Sequence, residues 1–196
     1  NTFVNYSRQC RHHTEDDSEI IWMSERDNYN HLYLYDKATG KVKNQITKGD
    51  WYVRSVIDVD EDARRIWFQA SGVNKDEDPY FIRYYSIGFD GSDMRDMTPS
   101  KGMHNAWLSA DKKYIVDVTS TVADAPVAVL RNAETGELVM DLETADISEI
   151  VANGWKAPEV FVAKGRDGKT DMWGIIIRPT NFDPSKKYPI LEYIYS

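Results

Sequence analysis

The chain has 196 residues, 41% of them hydrophobic and 12% aromatic, which is enough for one large core or two small ones and too apolar for a disordered segment. Its 24 lysines and arginines against 32 aspartates and glutamates give a formal charge of -8 with no basic block, which sets nucleic acid and anionic membranes aside as partners. No apolar run reaches the roughly 18 to 20 residues that span a bilayer, and the single cysteine, Cys10, forbids an internal disulfide while leaving the compartment open.

The chain starts at Asn1 rather than methionine, with no charged-then-apolar signal segment, and is expected to be a processed or excised piece. From Thr2 to Ser18, FVNYS reads as a short strand and RQCRHHTEDDS as an exposed connection. Cys10, His12 and His13 lie close together there, but a soft-metal site needs about four ligands and no second pair follows, so a polar loop without metal is expected. Asn5-Tyr6-Ser7 is a formal glycosylation triplet that matters only in a secreted eukaryotic protein.

A pattern then occurs three times: a β-branched and aromatic strand, a loop, a partner strand, a glycine turn and a further strand. The first strands are EIIWMS, RRIWFQAS and KYIVDVTS, with Ile21, Ile66 and Ile115 at intervals of 45 and 49. The partners are HLYLYD, IRYYSIGFD and VAVLRN, and their turns place Gly40, Gly91 and Gly136 at intervals of 51 and 45. The longer interval is explained by an insertion, Gly72 to Pro79. DWYVRSVIDV and HNAWLSA supply a further strand in the second and third units. A period near 45 with about four strands per unit is the mark of β-propeller blades, against the alternative of an unrelated meander of hairpins. Twelve tyrosines and six tryptophans suit such half-buried strands.

Asp58, Asp60 and Asp62 resemble the start of a calcium loop, but Ala63 stands where glycine is needed and β-pattern follows, so a solvated hairpin turn is expected. Lys75 to Asp78 reads as an exposed, charged loop tip. TADISEIVAN reads as a helical turn that Asp146 caps, with Ile147, Ile150 and Val151 on one face and Gly154 ending it. In the tail, APEVFVAK and DMWGIIIRP flank GRDGKT, where the Asp167-Gly168 pair is expected to supply the positive φ angles of a hairpin turn. TNFDPSKKYP then delivers the chain to ILEYIY, which reads as a mostly buried strand.

SERDNYNHLYLYD, ITKGDW and above all WGIIIRPTNFDPSKKYPILEYIYS resemble the dipeptidyl peptidase IV branch of the prolyl oligopeptidase family of serine peptidases. The likeness covers nearly the whole chain and is most specific from Ser24 to Trp51 and in the last forty or so residues. It implies a mainly β chain: about three blades over residues 1–153, then over 154–196 the crossing into the first strands of an α/β-hydrolase domain. The activity it implies is removal of Xaa-Pro or Xaa-Ala dipeptides from peptide N termini, without cofactor or metal. It further implies a periplasmic or secreted parent, dimeric in the family's manner, with peptides as its partners.

The sequence departs from the family's catalytic pattern by what it does not contain. No G-x-S-x-G elbow occurs, and the acid and histidine follow the serine in chain order, so none of His12, His13, His31 or His104 is expected to be the triad histidine. One family residue maps here: Tyr195, which the resemblance makes the hydroxyl donor to the oxyanion. From the residues alone it is equally a strand-end aromatic that packs, and Tyr193 shares its strand parity. The isolated chain is therefore expected to be inactive and, with open sheet edges, to self-associate. The alternative is a non-catalytic propeller that binds a protein or peptide, although the WD and GH pairs of WD40 repeats are absent and the tail continues past any blade pattern.

Overall fold

The computed structural model describes residues 10–193. Contacts divide them into two units: one formed by the residues up to Thr121 with Ala125–Ala145, the other by Val122–Asp124 with the residues from Asp146 onward.

The first unit holds three four-stranded antiparallel sheets, each with its strands adjacent in chain order. Sheet one is β1 (Arg11–His13), β2 (Glu19–Ser24), β3 (His31–Asp36) and β4 (Lys41–Gln45). Sheet two is β5 (Tyr52–Asp60), β6 (Arg65–Ser71), β7 (Arg83–Gly88) and β8 (Arg95–Asp96); sheet three is β9 (Met103–Leu108), β10 (Tyr114–Ser120), β11 (Val127–Asn132) and β12 (Leu138–Thr144). The three repeats of the sequence are these sheets. One reading is corrected: RHH is not a connection but strand β1, paired Arg11 to Trp22 through His13 to Ile20. Its side chains are polar because it is an edge strand, with His12 Nε2 held 2.7 Å from Glu61 Oε1. FVNYS and Asn5 lie outside the described residues.

Sheets one and two close on a core in which Ile21, Met23 and Leu32 meet Ile66, Phe68 and Ile87, all essentially without exposed surface. A smaller core of Trp67, Tyr84, Met97, Ala106, Ile115 and Ala133 joins sheets two and three. Polar staples repeat beside these cores. Arg64, a turn residue of sheet two at φ 50°, reaches Glu19 of sheet one at 2.8 Å. Lys112, the matching turn residue of sheet three at φ 60°, lies 3.0 Å from Asp60 and 3.4 Å from Asp58. The aspartate series of β5 thus sits at a hairpin turn, where Asp60 also accepts the Ala63 N–H at 2.8 Å.

The turn glycines are not equivalent. All three have positive φ, but a Cβ at Gly91 would stand 2.8 Å from the Ile46 carbonyl oxygen and one at Gly136 2.5 Å from that of Asp96, whereas Gly40 has nothing within 4 Å. Gly40→Ala is expected to cost about 1 to 2 kcal/mol from the left-handed backbone alone, and Gly91→Ala and Gly136→Ala measurably more. Urea midpoints of the three variants check this; equal costs would contradict it.

A second correction concerns the insertion. Lys75 and Asp76 are exposed, but Glu77 turns inward, its side chain 9% exposed, because Arg83 of β7 offers a buried guanidinium: Nε lies 2.6 Å from Oε1 and Nη2 2.9 Å from Oε2.

The second unit contains α1 (Ser148–Ala152) and the hairpin β13 (Glu159–Lys164) with β14 (Asp171–Ile176). Asp146 accepts the Ser148 N–H at 2.8 Å, one residue ahead of the Ile147 N-cap, and Gly154 leaves the helix at φ 90°. In the hairpin turn only Gly168 takes positive φ. Asp167 acts through its carboxylate instead, accepting the N–H groups of Lys169 and Thr170 and the Thr170 hydroxyl, which hold its pKa down at about 2. Residues Ile190–Tyr193, expected in a buried strand, are neither paired nor buried: Ile190, Leu191 and Tyr193 are 90%, 99% and 91% exposed. Apolar side chains alone do not make a strand; a hydrogen-bonding neighbour does, and no described strand pairs with this segment.

Candidate functional site

Tyr195 lies outside the described residues, and the segment that leads to it begins at the end of β14. Arg178, just after β14, folds back on β13 with Nε 2.5 Å and Nη2 2.9 Å from the two Glu159 carboxylate oxygens. Its guanidinium lies 4.5 Å above the Phe182 ring, and Phe182 meets Tyr188 at 5.2 Å. The Tyr188 hydroxyl accepts the Asp183 N–H at 2.9 Å, while Asp183 accepts from the Ser185 N–H and hydroxyl. The TNFDPSKKYP stretch is therefore a self-bonded turn between hairpin and tail. Its polar groups serve the turn itself: the Asp183 carboxylate and the Tyr188 hydroxyl accept from its own backbone N–H groups.

The residues that carry the resemblance in the first unit hold backbone. His31 Nε2 donates to the Gly49 carbonyl at 3.0 Å, which leaves Nδ1 to accept from Thr47 Oγ1 at 3.0 Å. Thr47 Oγ1 in turn accepts the Leu32 N–H at 2.9 Å, and Trp51 packs edge-on against the imidazole at 5.1 Å. Burial pushes the His31 pKa down, which keeps the ring neutral in this latch. Sheet two repeats it without histidine: Thr98 Oγ1 accepts the Tyr84 N–H at 3.0 Å. In the loop before β3, Arg26 lies 4.2 Å over the Tyr33 ring, and the Tyr33 hydroxyl donates to Asp27 at 2.5 Å.

One trio imitates a hydrolytic site. Ser100, His104 and Asp117 stand together, with His104 Nδ1 2.7 Å from Asp117 Oδ1. Yet Nε2 faces the Ser100 carbonyl oxygen at 2.8 Å, not its hydroxyl, and the imidazole has no exposed surface. It cannot take a proton from a nucleophile there. Sequence reading missed this cluster, because nothing in the spacing of residues 100, 104, 117 and 131 marks them as neighbours until β9, β10 and β11 pair. Cys10 is half-buried against the first core, where burial pushes its thiol pKa up, and among the described residues no three His, Cys, Asp or Glu side chains gather as a metal site.

The family profile described as the dipeptidyl peptidase IV (DPP IV) N-terminal region matches residues 1–126. The chain belongs to the dipeptidyl peptidase IV family. Similarity to individual members of this family and its kin runs almost the length of the chain. It is 27% identical over 177 residues to prolyl endopeptidase FAP of Mus musculus, covering 88% of this chain and 23% of that protein. It is 27% identical over 173 residues to the probable dipeptidyl-aminopeptidase B of Penicillium rubens, covering 85% of this chain and 18% of that protein. The chain therefore spans about a quarter or less of these relatives. Among solved structures, a putative dipeptidyl aminopeptidase IV from Bacteroides ovatus superposes with a TM-score of 0.68 at 28% identity, over 89% of this chain and 26% of that one. Dipeptidyl peptidase 4 of Porphyromonas gingivalis gives a TM-score of 0.70 at 23% identity, over 91% and 24%. The three sheets are thus blades of the dipeptidyl peptidase IV propeller type.

Proposed function

We propose that this chain is the last part of the propeller, and the crossing into the hydrolase domain, of a serine dipeptidyl peptidase that removes Xaa-Pro or Xaa-Ala dipeptides from peptide N termini. Residues 1–153 belong to the propeller, which admits and helps to bind peptide substrates, and residues 154–196 lead into the catalytic domain. The observation that carries the reading is the family match over residues 1–126 in a chain whose tail keeps the SKKYP-to-Tyr195 segment. The nucleophile, acid and histidine follow Ser196 in the full-length protein. There the serine oxygen attacks the scissile carbonyl, charge builds on the former carbonyl oxygen, and the Tyr195 hydroxyl stabilises it together with the backbone N–H that follows the nucleophile. The full-length protein works in the periplasm or outside the cell, as a dimer.

The test is to assay the full-length protein and this 196-residue chain side by side on a chromogenic Gly-Pro substrate. Turnover by the full-length protein and none by the chain is expected. A full-length protein without turnover on dipeptidyl substrates would overturn the reading, and turnover by the chain alone would place the triad within it.

The isolated chain is also proposed to associate with a second copy through β12. Outer strand β4 carries Lys41 and Lys43 and β8 has two residues, both ordinary protections of a sheet edge. Strand β12 has seven, all of them exposed, and Leu138, Val139, Met140 and Leu142 leave apolar side chains uncovered along it. Its Asp141 and Glu143 complement the lysines of β4 in a second copy, a head-to-tail contact that does not close. Light scattering is expected to show mass rising with concentration in the native chain and a monomer in Met140→Lys; a native monomer at every concentration would refute the contact.

A further inference from the structure

His104, which opens β9, takes no part in the reading above. Neither it nor Asp117 of β10 has exposed side-chain surface. Nδ1 lies 2.7 Å from Asp117 Oδ1 and 3.1 Å from Thr119 Oγ1, while Nε2 lies 2.8 Å from the Ser100 carbonyl oxygen. A carbonyl oxygen and a carboxylate can only accept, so satisfying both contacts requires a proton on each ring nitrogen.

The surroundings balance that charge. From β11, Arg131 donates Nε to Asp117 Oδ2 at 2.9 Å, Nη2 to Ser100 Oγ at 3.1 Å and Nη1 to the Gly136 carbonyl at 3.2 Å. From sheet two, Glu77 of the insertion and Asp96 of β8 act on His104 through space, and both pair with Arg83 of β7. Three carboxylates thus meet two guanidiniums, and a doubly protonated His104 brings the group to zero net charge. The His104 N–H also donates to the Ile82 carbonyl at 3.1 Å, tying β9 to the residue that precedes β7.

We propose that His104 is a proton-dependent staple: with both ring nitrogens protonated it locks Ser100, Asp117 and Thr119 into one network at the joint of sheets two and three, and loss of either proton opens that joint. The single-proton ring must turn a lone pair toward Asp117 or Ser100 and leaves one buried carboxylate unbalanced, which is costly in a dry site. The network is complete only while both ring nitrogens carry protons, because the Ser100 carbonyl and the Asp117 carboxylate both accept. The carboxylates act at the acid end. Burial would raise the pKa values of Glu77 and Asp117, but Arg83 and Asn74 for the first, and His104 and Arg131 for the second, hold them below the ordinary range. Their contribution is lost as pH falls through that range. None of this depends on the peptidase reading.

The experiment is ring-nitrogen NMR of the 15N-histidine-labelled 196-residue chain, with urea unfolding from pH 6 to 9 for the native chain, His104→Gln and the His12→Gln/His13→Gln control. Expected are protonated signatures at both His104 nitrogens in the folded state. The folding constant of the native chain should also fall toward high pH, a decline kept by the control and absent in His104→Gln. A single neutral tautomer for His104 throughout the range would overturn the proposal, as would an unchanged decline in His104→Gln. Should that variant not fold, the native spectrum alone decides.

Discussion

Replacing Phe68 by alanine is expected to remove about 3 to 5 kcal/mol from the stability of the first unit, the range for truncating a buried phenylalanine. Phe68 has no exposed surface and lies at the centre of the larger core. Its ring is stacked between Trp51 at 6.3 Å and Tyr85 at 5.8 Å, so one truncation deprives both neighbours of a packing face. Neither can follow the void: Trp51 is held by His31 and the tight loop at Gly49, and Tyr85 by pairing across to Phe68 itself and to Asp96. Tyr80, 59% exposed in the insertion, is the control, and Tyr80→Ala should change stability by less than about 0.5 kcal/mol. Equal urea midpoints for the two variants would show that sheets one and two do not share the core described.

Arg83→Ala is expected to cost a similar amount, about 3 to 5 kcal/mol, for an electrostatic reason. The guanidinium is bidentate to Glu77, lies 3.2 Å from Asp96 Oδ2 and donates to the Thr98 carbonyl at 2.9 Å. Its loss strands the nearly buried Glu77 carboxylate and the buried Thr98 carbonyl, and removes the partner of the partly exposed Asp96. An apolar replacement of both partners avoids that penalty, so Arg83→Met/Glu77→Leu should recover most of the loss. The pH profile gives a second reading. Burial would push the Glu77 carboxyl up, but the Arg83 and Asn74 hydrogen bonds outweigh it and hold the pKa below its ordinary value. A depressed carboxylate contributes stability that is lost as pH falls through its folded titration, and Arg83→Ala should flatten that acid limb. A double variant no better than the single, or an unchanged acid limb, would contradict this account of the insertion.

These two sites mark where sequence reading works and where it stops. Phe68 sits in RRIWFQAS, whose β-branched and aromatic residues recur in phase with EIIWMS and KYIVDVTS, so the three sheets and their core strands are legible in the repeat. Strand β1 is not, because an edge strand of Arg11, His12 and His13 has no apolar alternation to detect. Glu77 reads as one more charge in a loop, since its partner stands across a turn and its burial depends on Arg83 being there first. Ile190 to Tyr193 fails in the opposite sense: the side chains favour a strand, but hydrogen bonding needs a neighbour that composition cannot supply. Asp167-Gly168 was half legible, the glycine taking its positive φ while the aspartate bonds to the backbone ahead of it. The candidate site was reached by resemblance and not by pattern, for Tyr193 and Tyr195 have the same parity and only alignment separates them.

The central claim is that the tail delivers Tyr195 to an acyl-transfer site. It is tested most directly by steady-state kinetics of the full-length protein and its Tyr195→Phe variant on a Gly-Pro substrate. Loss of one oxyanion donor is worth about 2.7 to 4 kcal/mol, so kcat should fall about a hundred- to a thousandfold with KM little changed. Tyr193→Phe in the same protein is the control and should leave kcat within about twofold, since the proposal gives the oxyanion contact to the Tyr195 hydroxyl alone. A Tyr195→Phe enzyme with native kcat, or equal losses in both variants, would contradict the account.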